Sequence, residues 1–272
     1  MKPGQAQLAA GGALALVLVG MAALSLVWTP YPAEAIDVAH RLAAPSAAHL
    51  LGTDPFGRDE LSMLMVGART SLAIALVAVL AGAGAGIPLG ALAAALGKWP
   101  EQALMRAADL AFAFPALLTA VMIAALAGPG TTNAMLAIGI FNIPVFARIT
   151  RAAAKSVLER EFVTAARAIG RGEVSVLLRH VLPNVAPQLL VQASIQFALA
   201  IVADAGLAYV GLGTQPPEPS WGRMLADAQT YVFDRPGLAI YPGLAVTLAV
   251  LGFNLLGDGL RDRLDPRLRG RD

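Results

Sequence analysis

Six long apolar runs decide which class of fold is open to this chain. Hydrophobic residues make up 57% of its 272 residues and charged residues only 14%, whereas soluble domains carry roughly 25% charged residues. Each run is long enough to cross the hydrocarbon core of a bilayer as a helix, which satisfies its own backbone hydrogen bonds. The runs are 8–27, 72–96, 110–127, 134–149, 185–202 and 240–256. The sequence therefore predicts an all-α integral membrane protein with six transmembrane helices.

The first run could be a retained anchor helix or a cleaved signal peptide. Lys2 is a thin basic start, and residues 33–35 (AEA) offer a small-residue cleavage site. The run is about twenty residues long, however, and the apolar part of a signal peptide has roughly 7–15. We therefore expect a retained anchor.

The distribution of basic residues predicts the orientation in the membrane. Fifteen of the twenty Lys and Arg residues fall on the side of the predicted spans that carries both termini. The five on the other side are Arg41, Arg58, Arg69, Arg223 and Arg235. Since Lys and Arg accumulate in cytoplasmic loops, we expect both termini to be cytoplasmic. The chain then comprises an anchor helix with an extracytoplasmic segment (1–70), a transmembrane domain (71–258) and a cytoplasmic tail (259–272).

The loop between the fourth and fifth spans contains two short amphipathic helices. Residues 161–184 read EFVTAARAIGRGEVSVLLRHVLPN, and Gly170 begins the break between the helices. The first helix has an apolar stripe of Phe162, Ala165, Ala166 and Ile169. The second has a stripe that starts with Val174, Leu177, Leu178 and Val181 and ends at Pro183. Helices lying on lipid headgroups and a docking surface for another protein both fit this pattern.

The same loop resembles the EAA loop of permeases in binding-protein-dependent ABC importers. That motif is E-A-A, three residues, G, nine residues, then I-x-L-P. Thr164 stands at the first position and His180 at the Ile position, a form similar to the dipeptide, oligopeptide and nickel branch of the family. The resemblance implies that an ATPase subunit docks on residues 159–183. The implied docking residues are Glu161, Ala165, Ala166, Ile169, Gly170, Gly172, His180, Leu182 and Pro183.

Three further segments resemble the C-type permeases of the same branch, so that the likeness covers about residues 35–267. Residues 49–72 contain the turn DPFG before an amphipathic helix. Residues 211–222 read GLGTQPPEPSWG, and we call them the proline-rich turn. In that family a short helix at the outer mouth of the pathway follows the second segment. The third segment is the tail, 257–267.

The resemblance implies a type I ABC importer permease in a bacterial inner membrane. Such a chain would form half of a pathway for di- or oligopeptides. It would pair with a second permease, two ATPase subunits and an extracytoplasmic solute-binding protein. An importer of nickel or another small solute remains an alternative. A self-contained channel or secondary transporter is an alternative from another class.

Polar and helix-bending residues within the spans are candidates for the pathway or its gate. Asn142 lies beside Pro144 in the fourth span, and Asp204 lies near the outer end of the fifth. Trp221, in the proline-rich turn, suits an interfacial anchor. A charge inside the membrane is costly and commonly functional, although Asp204 could also be a hydrated residue at the surface. Pro115 and Pro187 are further sites where a span can kink.

Gly82, Gly86 and Gly90 recur at four-residue spacing in the second span. Small residues at this spacing let two helices approach closely. The partner helix could belong to the same chain or to the second permease.

Several kinds of chemistry have no motif in this sequence. The chain has no phosphate-binding loop, dinucleotide-binding motif, H-E-x-x-H motif or nucleophile elbow, and it has no cysteine. Its three histidines are scattered along the sequence, so no metal site is expected. We expect no enzymatic activity, no cofactor and no nucleic-acid partner. ATP hydrolysis would lie on partner subunits.

Overall fold

The structure, a computed structural model, describes residues 3–264. Within that range the chain is helical with no β-strand, and the predicted all-α class is confirmed. The α-helices are α1 (Pro3–Leu24), α2 (Glu60–Leu96), α3 (Lys98–Ala113), α4 (Ala116–Ala127), α5 (Thr131–Leu158), α6 (Glu161–Ala168), α7 (Glu173–Val176), α8 (Leu182–Tyr209), α9 (Trp221–Ala228) and α10 (Gly237–Leu264). Two 3₁₀ helices lie at Val38–His40 and Gln229–Tyr231, and a π-helix at Leu177–Val181 joins α7 to α8.

Five helices of the described range are long and apolar enough to cross a membrane. They are α1, α2, α5, α10 and the continuous helix Glu173–Tyr209, which contains α7 and α8. A sixth span arises only if α3 and α4 count as one, and these two helices are bent by 89° against each other. Six spans therefore agree with the structure when one of them is sharply bent.

The predicted third span, 110–127, is sharply bent because the chain breaks at Pro115, one of the prolines at which the sequence predicts a kink. Phe114, the residue before it, has φ −97° and ψ 134°, the extended conformation that a residue preceding proline favours. Proline also lacks the N–H that a continuing helix would need. Pro144 and Pro187, in contrast, lie inside the continuous helices α5 and α8.

Two helices are much longer than the apolar runs they contain. α2 and Glu173–Tyr209 have 37 residues each, which corresponds to about 55 Å, against roughly 30 Å for the hydrocarbon core. α2 starts twelve residues before the run at 72–96, and the second helix starts twelve before the run at 185–202. The two helices run in opposite directions, so their extensions lie at opposite ends of the bundle.

Buried apolar side chains form a cluster toward each end of the bundle. We call the end that carries residues 159–183 the loop end. Its cluster joins α6 and α7 to α2, α5 and α8, and includes Ala91, Val163 and Val185. At the opposite end a larger cluster joins α2, α5, α8 and α9, and Trp221 is fully buried within it. The loop is therefore packed against three membrane helices.

The glycines of α2 bring α5 into close contact within the same chain. A Cβ added to Gly82, Gly86 or Gly90 would lie 2.3, 2.5 or 2.3 Å from an atom of α5. Gly84, on another side of α2, would have no atom within 4 Å of an added Cβ. The ridge of small residues therefore packs inside the subunit.

The terminal helices α1 and α10 pack along each other. A Cβ added to Gly11 would lie 2.4 Å from the backbone nitrogen of Leu256. The helix α10 continues to Leu264, so the first part of the predicted tail, 259–272, is helical. Residues 265–272 of that tail lie outside the described range.

Residues 28–59 fold over the first turns of α2. Asp59 caps the start of α2, where its carboxylate accepts a 2.8 Å hydrogen bond from the backbone N–H of Ser62. Asp54 and Arg58 form a buried ion pair at 2.6 Å. This segment gives the extension of α2 its own protein contacts outside the apolar run.

Candidate docking and pathway sites

A tight turn at Gly170 joins the two arms of the loop. The first arm is α6, and the second is α7 with the π-helix that follows it. Gly170 has φ +84°, its N–H donates to the carbonyl of Arg167 at 2.9 Å, and the N–H of Arg171 donates to the carbonyl of Ala166 at 3.1 Å. These two bonds form the Schellman pattern, which favours glycine at the left-handed position after a helix. An added Cβ would meet no atom within 4 Å, so the backbone conformation rather than crowding requires glycine here.

The loop is held to the bundle by a buried face that the sequence analysis did not identify. Val163 is fully buried and Ala166 is 6% exposed, both within the loop-end cluster. The predicted stripe of α6 is therefore divided, because Ala166 faces the bundle while Phe162, Ala165 and Ile169 are exposed. The spacing of Val163 and Ala166 at i and i+3 is the sequence signal for this face.

Both arms of the loop present apolar side chains to the surface. Ile169 is 78% exposed at the end of α6. On the second arm Val174 and Leu178 are exposed, and their four-residue spacing places them on one helix face. Exposed apolar groups at this density are typical of a surface that another protein or a lipid covers.

The other predicted docking residues lie along the same two arms. Glu161 and Gly172 are exposed, as is Pro183 at the base of the second arm. His180 and Leu182 are half-buried. The nine candidates thus divide into an exposed set and a set that packs partly against the bundle.

The second arm does not end at Pro183, as the sequence predicted, but continues into α8 through the π-helix. The N–H of Leu182 donates to the carbonyl of Leu177, five residues earlier. Pro183 has no N–H and would crowd the carbonyl four residues before it in a regular helix, and the wider turn accommodates this. The ring of His180 lies 6.3 Å from that of Phe162 on the first arm.

An ion pair also spans the Gly170 turn. Two guanidinium nitrogens of Arg167 lie 2.7 and 2.9 Å from the two carboxylate oxygens of Glu173. This hydrogen bonding raises the pKa of Arg167 above its usual value. Both groups are exposed, so the pair fixes geometry more than it adds stability.

Ion pairs tie α3 to the part of α5 that leads into the loop. Glu101 of α3 accepts hydrogen bonds from Arg151 and from Lys155, the latter at 2.8 Å. Asp109 of α3 pairs with Arg148 of α5. A movement of the loop would therefore act on α3 as well as on α5 and α8.

Asn142 takes part in a buried polar contact between α5 and α8. The side-chain amide of Gln196 donates to Asn142 Oδ1 at 2.7 Å, and that of Gln192 donates to Gln196 Oε1 at 3.2 Å. Asn142 is buried, and its Nδ2 has no hydrogen-bond partner in the described part of the chain. Pro144, two residues further along α5, is also buried. In this conformation these residues face neighbouring helices rather than an open path.

Asp204 and Trp221 meet at the opposite end of the bundle through Ser71 of α2. The hydroxyl of Ser71 donates to Asp204 Oδ2 at 3.4 Å and accepts the backbone N–H of Trp221 at 3.1 Å. The indole N–H of Trp221 donates to the carbonyl of Leu64 at 3.1 Å. Asp204 is 1% exposed. We call Ser71, Asp204 and Trp221 the clasp, since they join α2, α8 and α9.

The fold brings together two of the three histidines that are scattered in the sequence. The rings of His40 and His49 lie 6.0 Å apart, and their Nδ1 atoms lie 2.7 Å from Asp37 and 2.9 Å from Asp59. Residues 3–264 contain no group of three or more His, Cys, Asp or Glu side chains arranged to hold a metal ion.

Known proteins match this chain over most of its length. Residues 86–270 match the family described as "Binding-protein-dependent transport system inner membrane component". A dipeptide transport system permease protein of Alkalihalophilus pseudofirmus is 42% identical over 230 residues, which cover 85% of this chain and 76% of that protein. A glutathione transport system permease protein of Pectobacterium atrosepticum is 41% identical over 261 residues, which cover 96% and 87%.

A solved structure has the same fold. It is the MetNI methionine ABC transporter in an inward-facing conformation, with a TM-score of 0.62 and 19% identity. The match covers 75% of this chain and 96% of that chain. The chain therefore belongs to the family of binding-protein-dependent transport system inner membrane components, and it is an inner-membrane permease with the type I ABC importer fold.

Proposed function

We propose that this chain is one of two permease subunits in an ATP-driven importer of di- or oligopeptides. One of the importer's two ATPase subunits docks on its loop at 159–183, and an extracytoplasmic solute-binding protein delivers the peptide to the opposite end. The names of the dipeptide and glutathione permeases that are about 40% identical support a peptide as the solute.

The position of the exposed apolar side chains is the observation that carries the docking assignment. Val174 lies on the helix Glu173–Tyr209, eleven residues before the apolar run at 185–202. Eleven helical residues correspond to about 16 Å, whereas the polar headgroup layer on each side of a bilayer is only roughly 5–8 Å thick. A loop that lay on the membrane surface would keep these side chains at headgroup depth. A protein partner therefore explains their exposure better than lipid does.

The contacts of the loop support transmission of movement into the membrane. Val163 and Ala166 bind the first arm to the bundle, and the second arm continues directly into α8. Closure of the ATPases around ATP would move the loop as a rigid lever. This movement would rock the spans between inward-open and outward-open arrangements.

We assign the predicted pathway and gate residues to the contacts between the moving helices. Asn142 lies where α5 meets α2 and α8, Pro144 is buried two residues further along α5, and Asp204 and Trp221 belong to the clasp at the opposite end. These contacts would keep the helices in register while the path between the two permeases opens and closes. The glycines of α2 serve the same purpose on the side that faces α5.

The proposed orientation places the loop end and both termini in the cytoplasm. The fifteen-to-five distribution of Lys and Arg residues supports it, and ATP is available on that side. Residues 1–70 then provide the anchor helix and an extracytoplasmic segment, 71–258 the transmembrane domain and 259–272 the cytoplasmic tail.

Uptake by the complete importer tests this function. The two permeases and the ATPases are reconstituted in vesicles with the solute-binding protein, and accumulation of labelled dialanine is compared with accumulation of Ni²⁺. We expect ATP-dependent uptake of dialanine and none of Ni²⁺. Uptake of Ni²⁺ alone would identify the nickel alternative, and uptake without any ATPase subunit would identify a self-contained transporter.

A further inference from the structure

A cavity with charged walls opens at the end of the bundle opposite the loop. It has a volume of about 250 Å³ and lies between α2, the start of α5 and the proline-rich turn. Three of its lining side chains are charged, namely Glu34, Arg69 and Glu218. Apolar Val66 and Met135 form part of the remaining wall.

The charged side chains of this cavity make few contacts with the rest of the described chain. Within residues 3–264, the side chains of Arg69 and Glu34 have no hydrogen-bond or ion-pair partner. The side chain of Glu218 accepts one 3.4 Å hydrogen bond, from the hydroxyl of Thr131. An arginine and two carboxylates thus face one opening without pairing with each other.

Three other arginines at the same end have partners for their side chains. Arg58 is paired with Asp54 at 2.6 Å, and Arg223 with Asp227 at 2.7 Å. Arg41 donates to the carbonyl of Pro55 at 2.7 Å. Among the described residues, Arg235 at this end also has no hydrogen-bond or ion-pair partner for its side chain, but of these five arginines only Arg69 lines the cavity beside the two carboxylates.

The elements that carry the charges are fixed by neighbouring contacts. Arg69 lies two residues before Ser71 of the clasp, and Glu218 lies two residues before Ser220, the buried cap of α9. Thr131, the first residue of α5, contacts Thr214 of the proline-rich turn at 3.4 Å. The backbone that carries Arg69 and Glu218 is therefore fixed before a ligand binds, although their exposed side chains must still be ordered.

Charges of both signs on one cavity are complementary to a zwitterion. A guanidinium group can hold a carboxylate through two parallel hydrogen bonds, and carboxylates accept hydrogen bonds from an ammonium group. The apolar wall can contact side chains of various sizes with little selectivity. We propose that this cavity receives the peptide as it leaves the binding protein. Arg69 binds its terminal carboxylate, and Glu34 and Glu218 bind its terminal ammonium group.

This site rests on the proposed peptide transport and makes a separate claim about entry. Its test uses the complete reconstituted importer and labelled dialanine, with Arg69→Gln and Glu218→Gln. Arg235→Gln is the control, since Arg235 is at the same end and does not line the cavity. Three quantities are measured: dialanine uptake, ATPase stimulation by the loaded binding protein, and affinity for that binding protein.

We expect Arg69→Gln to lower uptake about tenfold or more, because a hydrogen-bonded charge contact is lost. Arg69→Lys should recover part of the uptake because it keeps the charge. ATPase stimulation and affinity for the binding protein should stay within about twofold of wild type, as should all three quantities for Arg235→Gln. Arg69→Gln would thus lower peptide uptake without lowering the stimulation of ATP hydrolysis.

Two results would overturn the site while leaving the importer function intact. One is unchanged dialanine uptake by both Arg69→Gln and Glu218→Gln. The other is a fall in affinity for the binding protein that matches the fall in uptake, which would make the cavity a docking contact. A wild-type assembly that imports no peptide would overturn the proposed function, and this site with it.

Discussion

The backbone N–H of Arg171 donates a 3.1 Å hydrogen bond to the carbonyl of Ala166, and this bond closes the loop turn around Gly170. A residue with a Cβ in the left-handed conformation costs roughly 1–2 kcal/mol. Gly170→Ala should therefore loosen the turn and reduce uptake several-fold, and Gly170→Asp should reduce it further by adding a charge at the docking surface. Uptake, membrane abundance and co-purification of the ATPase are measured together.

Gly172 supplies the matched control for strain at Gly170. Its φ is −69°, and an added Cβ would likewise meet no atom within 4 Å. Gly172→Ala should therefore cause a smaller loss of uptake than Gly170→Ala. Equal losses would mean that the left-handed turn is not the reason for the glycine.

Adjacent alanines in α6 should respond differently to the same charge. Ala165 is exposed, so Ala165→Asp should weaken ATPase co-purification while leaving the amount of folded protein unchanged. Ala166 is buried in the loop-end cluster, so Ala166→Asp places an unpaired charge there at a cost of roughly 3–5 kcal/mol. Its main effect should be a lower melting temperature and lower abundance. Identical phenotypes would contradict the division of α6 into buried and exposed faces.

Neighbouring glycines in α2 offer a similar comparison inside the membrane. Gly86→Val must push against the backbone carbonyl of Ile143, which lies 2.5 Å from an added Cβ. Overpacking of this kind costs typically 1–3 kcal/mol, so the detergent-solubilised protein should melt at a lower temperature. Gly84→Val should melt near wild type, since nothing lies within 4 Å. A lower melting temperature for Gly84→Val alone would place the important helix contact on the other side of α2.

The orientation can be tested with single cysteines because the natural chain has none. Ser46→Cys and Phe233→Cys, both exposed at the end opposite the loop, should react with an impermeant thiol reagent in intact cells. Val174→Cys, in cells that lack the ATPase subunits, should react only after the membrane is opened. The reverse pattern would invert the topology that the basic residues predict.

Hydrophobic runs and local spacing predicted most of the helices. Contacts between residues far apart in the sequence could not be predicted in this way. Apolar length identified the spans, and the i, i+3 spacing of Val163 and Ala166 could have indicated the buried face of the loop. Pro115 was recognised as a site for a kink, but the size of the bend depends on how α3 pairs with α5. Asp204 meets Ser71 across 133 residues of sequence, and no periodicity indicates such a partner.

The central claim is that an ATPase subunit covers the exposed side of the loop. Ile169→Cys, 78% exposed at the end of α6, is treated with a short bifunctional cross-linker in membranes that contain the complete importer. We predict a cross-linked product with the ATPase subunit. Phe233→Cys, 97% exposed at the opposite end, should give none. If Ile169→Cys gives no ATPase product while the importer still takes up dialanine, the loop is not the docking site.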